Sequence, residues 1–164
     1  MEDRVILLDE HAELAGSKLR QEINKKTDIL YCVDILIFTD DRVLLVKTPD
    51  GSLYKDTWSS SCATMLRERE TTEQAAWRCL KKELDIQTGE LTELGERFFT
   101  YPDGVKRKKR TFTFITTQTP KPNPEDVSEL KSWTRPEIEE ALPRNIFAPT
   151  FVKMWEVYQT QLPF

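Results

Sequence analysis

The residues best suited to chemistry fall in one stretch, TWSSSCATMLRERETTEQAAWRCLKKELDI, from Thr57 to Ile86. Glu70, Arg78 and Glu83 are spaced there like a phosphate-handling turn followed by an acidic helix. A diphosphate is hydrolysed by in-line attack of water, and glutamates on one helix hold Mg2+ ions against the phosphoryl oxygens where charge develops. The number of carboxylates therefore decides what such a helix can do. Here Cys79 and Lys82 occupy two places where that chemistry needs a carboxylate. Glu83 alone cannot assemble a cluster of two or three ions.

Local patterns supply the elements that must hold these residues. Thr71 followed by Gln74 has the spacing of a capping box, and Ala76, Leu80 and Leu84 recur every fourth residue, so an amphipathic helix is expected over about 72–84. Upstream, RVILLDE (Arg4 to Glu10) reads as a strand, and Ile29 to Thr48 reads as a hairpin turning at Asp40 and Asp41. PDGS (Pro49 to Ser52) marks a loop. Downstream, two strand-like segments flank the turn Pro102-Asp103-Gly104, and a strand ending near Trp133 precedes a short helix. A last helical pattern runs from about Pro149 to Gln159. Sheet strands with a central acidic helix and a C-terminal helix make an α+β or α/β sandwich in which sheets are flanked by helices.

Composition narrows the function classes. A chain of 164 residues, 38% hydrophobic and 32% charged, can bury one core and shows no compositional break, so a single domain over 1–164 is expected. The segment MEDRV is not basic and then apolar, and no apolar run is long enough to span a bilayer, so neither a secretory signal nor membrane insertion is expected. A cytoplasmic location follows from that reading. The formal net charge of −4 disfavours nucleic acid as a partner, with KRKKR (Lys106 to Arg110) as a local exception. Cys32, Cys62 and Cys79 are odd in number with no CxxC spacing, and His11 is the single histidine, so no zinc or disulfide framework is expected.

The run from Thr64 through Glu70 to Arg78-Cys79-Leu80-Lys81-Lys82-Glu83-Leu84-Asp85-Ile86 resembles the Nudix box. That pattern is Gly, five residues, Glu, seven residues, then Arg-Glu-apolar-any-Glu-Glu-any-Gly-apolar. The spacing is kept throughout. Glu70, Arg78, Leu80, Glu83 and Ile86 match it, whereas Thr64, Cys79, Lys82 and Asp85 depart from it. Within the superfamily the chain is most similar to type I isopentenyl diphosphate isomerases and their hydrolase-like neighbours. VILLDEHAELAG, TWSSSCATM and NPEDVSELKSWTRPEIEEAL…FAPTF carry that likeness, in the same order and over most of the chain.

The resemblance implies a Nudix fold, an α/β/α sandwich with a mixed sheet flanked by helices. It implies one Mg2+ held by Glu83 and the carbonyl of Ala63, weakly until a diphosphate supplies further oxygens. Glu83 and Glu70 become the catalytic candidates, although Glu70 with Arg78 fits an ion pair fastening loop to helix better than a catalytic pair. Lys82, Arg107 and Lys109 stand where the family has carboxylates, and exchanging acids for bases turns a metal pocket into one that pairs with phosphate directly. That assignment depends on register, because a slip of one residue would present Lys106, Lys108 and Arg110 instead. Trp58 is a further candidate for substrate contact. Cys62 and Cys79 read most simply as small buried hydrophobes, Lys82 as a solvated residue, and KRKKR as an exposed hairpin end.

Isomerisation is not expected. The family's cysteine, histidine and tryptophan are matched here by Ala63, Met65 and Thr150, and its strand carboxylates by Arg107 and Lys109. Three readings remain. One is a Nudix-type hydrolase of a diphosphate-containing small molecule, with a reduced metal site. The second is a lapsed enzyme that binds such a metabolite. The third is an interaction module whose basic run docks RNA or an acidic partner. Neither substrate nor oligomeric state is fixed by the sequence.

Overall fold

One strand organises the sheet. In the computed structural model, which describes residues 3–164, β3 (Ile29–Thr39) is the longest strand of the first half and is buried along most of its length. Residues 30–38 pair in parallel with β8 (Lys106–Ile115), while the opposite edge of β3 meets three shorter strands in turn, all antiparallel. These are β1 (Arg4–Leu8), β6 (Cys62–Met65) and β4 (Arg42–Lys47). β1 carries the edge strand β2 (Leu14–Leu19), β4 carries β5 (Trp58–Ser59) and β9 (Glu129–Trp133), and β8 carries β7 (Glu90–Thr100). The result is a mixed nine-stranded sheet.

Alternation along β3 divides the core in two. Val33, Ile35 and Ile37 face one side with Phe112 and Phe114 of β8, and there they meet Ala75, Ala76, Cys79, Leu80 and Leu84 of the helix α1 (Thr72–Leu84). Leu36 and Phe38 face the other side, against α2 (Arg135–Ala141) and α3 (Pro149–Tyr158). The chain is thus an α+β, α/β/α sandwich. α1 starts where the capping box places it: Gln74 N–H donates to Thr71 Oγ1 at 3.1 Å and Thr71 N–H to Gln74 Oε1 at 2.9 Å. It ends at Asp85, which takes a left-handed φ of 53°. The box pattern keeps a glycine there, and aspartate is among the few other residues that adopt this conformation readily.

The expected hairpins, helices and final strand are all present, but three strands escaped the sequence. β2 is an exposed edge whose Leu14 points to solvent, so it has no alternating pattern to read, and β5 and β6 are too short to show one. The expected exposed end for KRKKR is corrected. Lys106 to Arg110 lie within β8, between β3 and β7, and none is fully exposed. No helix among the described residues is long and apolar enough to cross a membrane.

The exit from α1 into β7 passes Gly89, where close packing requires a residue without a side chain. A Cβ there would lie 2.7 Å from the carbonyl oxygen of Ile115 and closer still to the Phe114 ring, at a φ of +152°. Gly89→Ala is therefore expected to lower unfolding free energy by about 3 kcal/mol, as overpacking and backbone strain add, read from urea denaturation midpoints.

Candidate functional site

Arg78 sets the geometry of the site. Its Nε and Nη2 take the two oxygens of Glu70 at 2.7 and 3.0 Å, Nη1 donates to Thr64 Oγ1 at 3.1 Å, and Nη2 also reaches the carbonyl of Met65 at 3.0 Å. One guanidinium thereby ties α1, the loop before it and β6 together. Burial disfavours the Glu70 charge, but Arg78 and the Arg67 N–H outweigh it and hold the carboxyl below the usual range. Thr64, where the box pattern has glycine, supplies one of the four contacts. Glu70, expected among the catalytic candidates, is paired with Arg78 and does not line the cavity described next.

Beside α1 lies an open cavity of about 420 Å³. Its wall includes Ala63 from β6, Cys79, Lys82 and Glu83 from α1, and Arg107 and Lys109 from β8. Six basic and four acidic side chains line it in all, so the balance favours an anion. The β8 register presents Arg107 and Lys109 to the cavity, and Lys106, Lys108 and Arg110 do not line it. Lys108 and Arg110 instead pair with glutamates of β7, Glu96 for both and Glu93 for Arg110. This leaves little free charge for an acidic partner or RNA.

Glu83 is the one box carboxylate that α1 carries, and its closest side-chain partners are thiols. Burial pushes its carboxyl up to about 7, against the hydrogen bond from Cys79 and with the help of the nearby Asp126 charge. Cys79 Sγ is 2.7 Å and Cys62 Sγ 3.6 Å from Glu83 Oε2. Both thiols are buried, and burial pushes Cys62 up to about 11. The two cysteines are thus packed in the core as expected, but they also share a polar partner that their spacing does not reveal.

The basic residues differ in freedom. Lys109 is buried and donates to Asp34 Oδ1 at 2.9 Å; burial opposes its charge, yet Asp34 holds the ammonium above the usual lysine range. Arg107 donates to the carbonyls of Lys25, Asp28 and Lys106, which pins the segment before β3. Lys82 is 45% exposed at the cavity mouth and 3.4 Å from Asp126 Oδ1, so it is the one of the three with room to reorient. Trp58 is placed elsewhere. It is buried in the opposite core, edge-on to Trp133 at 5.5 Å, and does not line the cavity, so substrate contact gives way to packing. Sequence reasoning missed Arg20, Lys25, Asp50 and Asp126, which reach the cavity from loops or a one-turn helix. Only the PDGS and NPED punctuation hinted at loops there.

Comparison with known proteins places this geometry among relatives. A family model for the NUDIX domain matches residues 30–154. An isopentenyl-diphosphate Delta-isomerase of Aliivibrio fischeri is 26% identical over 170 residues, covering 94% of this chain and 91% of that protein. Another, from Aromatoleum aromaticum, is 28% identical over 153 residues, covering 85% and 84%. Among solved structures, DR0079 from Deinococcus radiodurans superposes with a TM-score of 0.74 at 19% identity, over 88% of this chain and 91% of that one. The dihydroneopterin triphosphate pyrophosphohydrolase of E. coli gives 0.60 at 18% identity, over 80% and 96%. At such identities the structural likeness speaks for the fold alone.

Lys109→Met strands the buried Asp34 carboxylate and is expected to cost about 4 kcal/mol, whereas the double change with Asp34→Leu recovers most of it; chemical denaturation of all four forms reads this. Glu83 contributes in the opposite sense at higher pH. Its folded pKa is raised, so its proton is kept in both states below about pH 4.5, and stability is lost as pH rises through about 7. In chelator, Glu83→Gln is therefore expected to match the parent near pH 4 and to be more stable by about 3 kcal/mol near pH 8, measured by denaturation across that range.

Proposed function

The chain belongs to the NUDIX domain family, and on that premise we propose that its cavity takes a diphosphate-containing small molecule and hydrolyses it slowly. The observation that carries this reading is the shared wall: Glu83, the kept box glutamate, opens onto the same cavity as Lys82, Arg107 and Lys109. Cations at the places of carboxylates favour phosphoryl oxygens, and Lys82, 45% exposed and 3.4 Å from Asp126 Oδ1, is the one with most room to meet a ligand.

Nudix hydrolases generally use divalent ions. The donors present do not suit a resident cluster of Mg2+ ions, because α1 gives the cavity one carboxylate with two thiols beside it, and Mg2+ demands oxygen. They suit a single Mg2+ arriving on a diphosphate, with Glu83 and the Ala63 carbonyl completing its shell. That ion would neutralise charge on the phosphoryl oxygens.

The residues then have separable tasks. Lys82 and Lys109 hold the anion, and Arg107 keeps the Lys25 to Asp28 backbone at the rim. Glu83, with its pKa near 7, is matched to taking a proton from water at neutral pH. It cannot accept that proton and bind a metal with the same charge, so slow turnover is expected. A lapsed binding protein is the second reading, favoured by Cys79 and Lys82 at carboxylate positions. An isomerase is disfavoured, since Ala63, Met65, Arg107 and Lys109 line the cavity where that chemistry needs a thiol, an imidazole and carboxylates.

The test is a screen of nucleoside, sugar and prenyl diphosphates with Mg2+, reading phosphate release and thermal shift together. Turnover that Glu83→Gln abolishes supports hydrolysis. Binding without turnover selects the lapsed protein, and neither response across the three classes rejects the diphosphate reading. Mg2+ alone is expected to bind only at millimolar concentration, as an ion that keeps its waters. Changing Cys79→Glu together with Lys82→Glu returns acids to the two departed positions, Cys79 one turn from Glu83, and is expected to tighten Mg2+ by at least about tenfold. Calorimetry on the two forms measures it.

A further inference from the structure

The fold brings together a donor set that residue spacing conceals. Cys62 lies on the face of β6 that looks toward α1, since it packs with that helix while its neighbour Ala63 is exposed on the other face. Cys79 and Glu83 lie one turn apart on α1. The two thiol sulfurs and a Glu83 oxygen all fall within 4.8 Å of one another. Tetrahedral zinc with bonds of about 2.3 Å to sulfur and 2.0 Å to oxygen needs sulfur and oxygen about 3.5 Å apart. Cys62 meets that separation at 3.6 Å, and Cys79, at 2.7 Å, needs only a turn of the carboxylate.

Charge points the same way. Glu83 is a largely enclosed carboxylate, yet among the described residues no lysine, arginine or histidine pairs with it; Lys82 goes to Asp126 instead. Its side-chain partners are the two thiols. A buried carboxylate without a counter-charge is costly, and a bound cation would supply the missing charge. We propose that Cys62, Cys79 and Glu83 bind one thiophilic divalent ion, zinc foremost, with its fourth position open to the cavity. Thiolate donors select such an ion over Mg2+. Loading it displaces the two thiol protons, and any proton on the Glu83 carboxyl, to solvent, so its affinity rises with pH. Cys79 and Glu83 line the cavity while Cys62 sits behind them, which leaves the exposed side of the ion for water or a ligand oxygen.

The inference stands apart from the diphosphate reading, because a chain that turns nothing over can still hold zinc. The test is a titration of the reduced, chelator-stripped chain with cobalt(II), whose thiolate charge-transfer absorption reports sulfur ligands. One equivalent of cobalt is expected to produce that band, and one of zinc to abolish it, with Mg2+ in large excess doing neither. Cys62→Ser and Cys79→Ser are each expected to lose the band and to weaken zinc on the order of a hundredfold, while Cys32→Ser keeps both. Glu83→Gln retains the thiols and the fold, so its weakened zinc affinity supports the third ligand without depending on either cysteine variant. No band at saturating cobalt, or a band that persists in Cys62→Ser and Cys79→Ser, overturns the proposal.

Discussion

The site depends on Arg78. Its four hydrogen bonds join Glu70, Thr64 and Met65, so the loop before α1, the helix itself and β6 form one rigid corner. Every residue that gives the cavity its chemistry on that side, Ala63, Cys79, Lys82 and Glu83, is carried by one of those elements. The pair is bidentate and partly buried, the geometry in which an ion pair holds direction as well as energy. Glu70 braces Arg78 from off the cavity wall, and the capping box at Thr71 and Gln74 fixes where the helix begins relative to it.

Around that corner, electrostatics have been rebuilt with the fold kept. A carboxylate-rich helix would repel a phosphate unless metals intervened, whereas here cationic side chains share the wall with one glutamate that burial keeps partly protonated near neutral pH. Lys109 remains charged in the interior because Asp34 of the adjoining strand compensates it, so the buried cation is fixed in place rather than free to roam. Arg107 spends its donors on backbone carbonyls and shapes the rim. Of the three positions, Lys82 is the exposed one, and Lys109 is buried and paired.

Much of this was open to reading in the sequence, and the reasons are local. α1 announces itself because capping and a fourfold apolar repeat are encoded within a dozen residues, and the hairpin at Asp40 and Asp41 because strands and turn are contiguous. The spacing from Thr64 to Ile86 was enough to connect Glu70 with Arg78 and to set Glu83 at a cavity. Tertiary facts were hidden. Nothing local says that Trp58 turns into the opposite core, that β8 lies between β3 and β7 so that Lys108 and Arg110 find acids on β7 and Lys109 finds Asp34 on β3, or that Cys62 from a four-residue strand meets Cys79 and Glu83. Those contacts join residues far apart in the chain, and composition and periodicity carry no record of them.

The central claim is that the cationic wall itself binds phosphate oxygens. Calorimetric titration of inorganic pyrophosphate into the chain, held in chelator to exclude divalent ions, tests it most directly. Pyrophosphate is expected to bind without metal, and more weakly as salt is raised and screens the wall. The absence of binding in chelator, with binding restored only by a divalent ion, would contradict it.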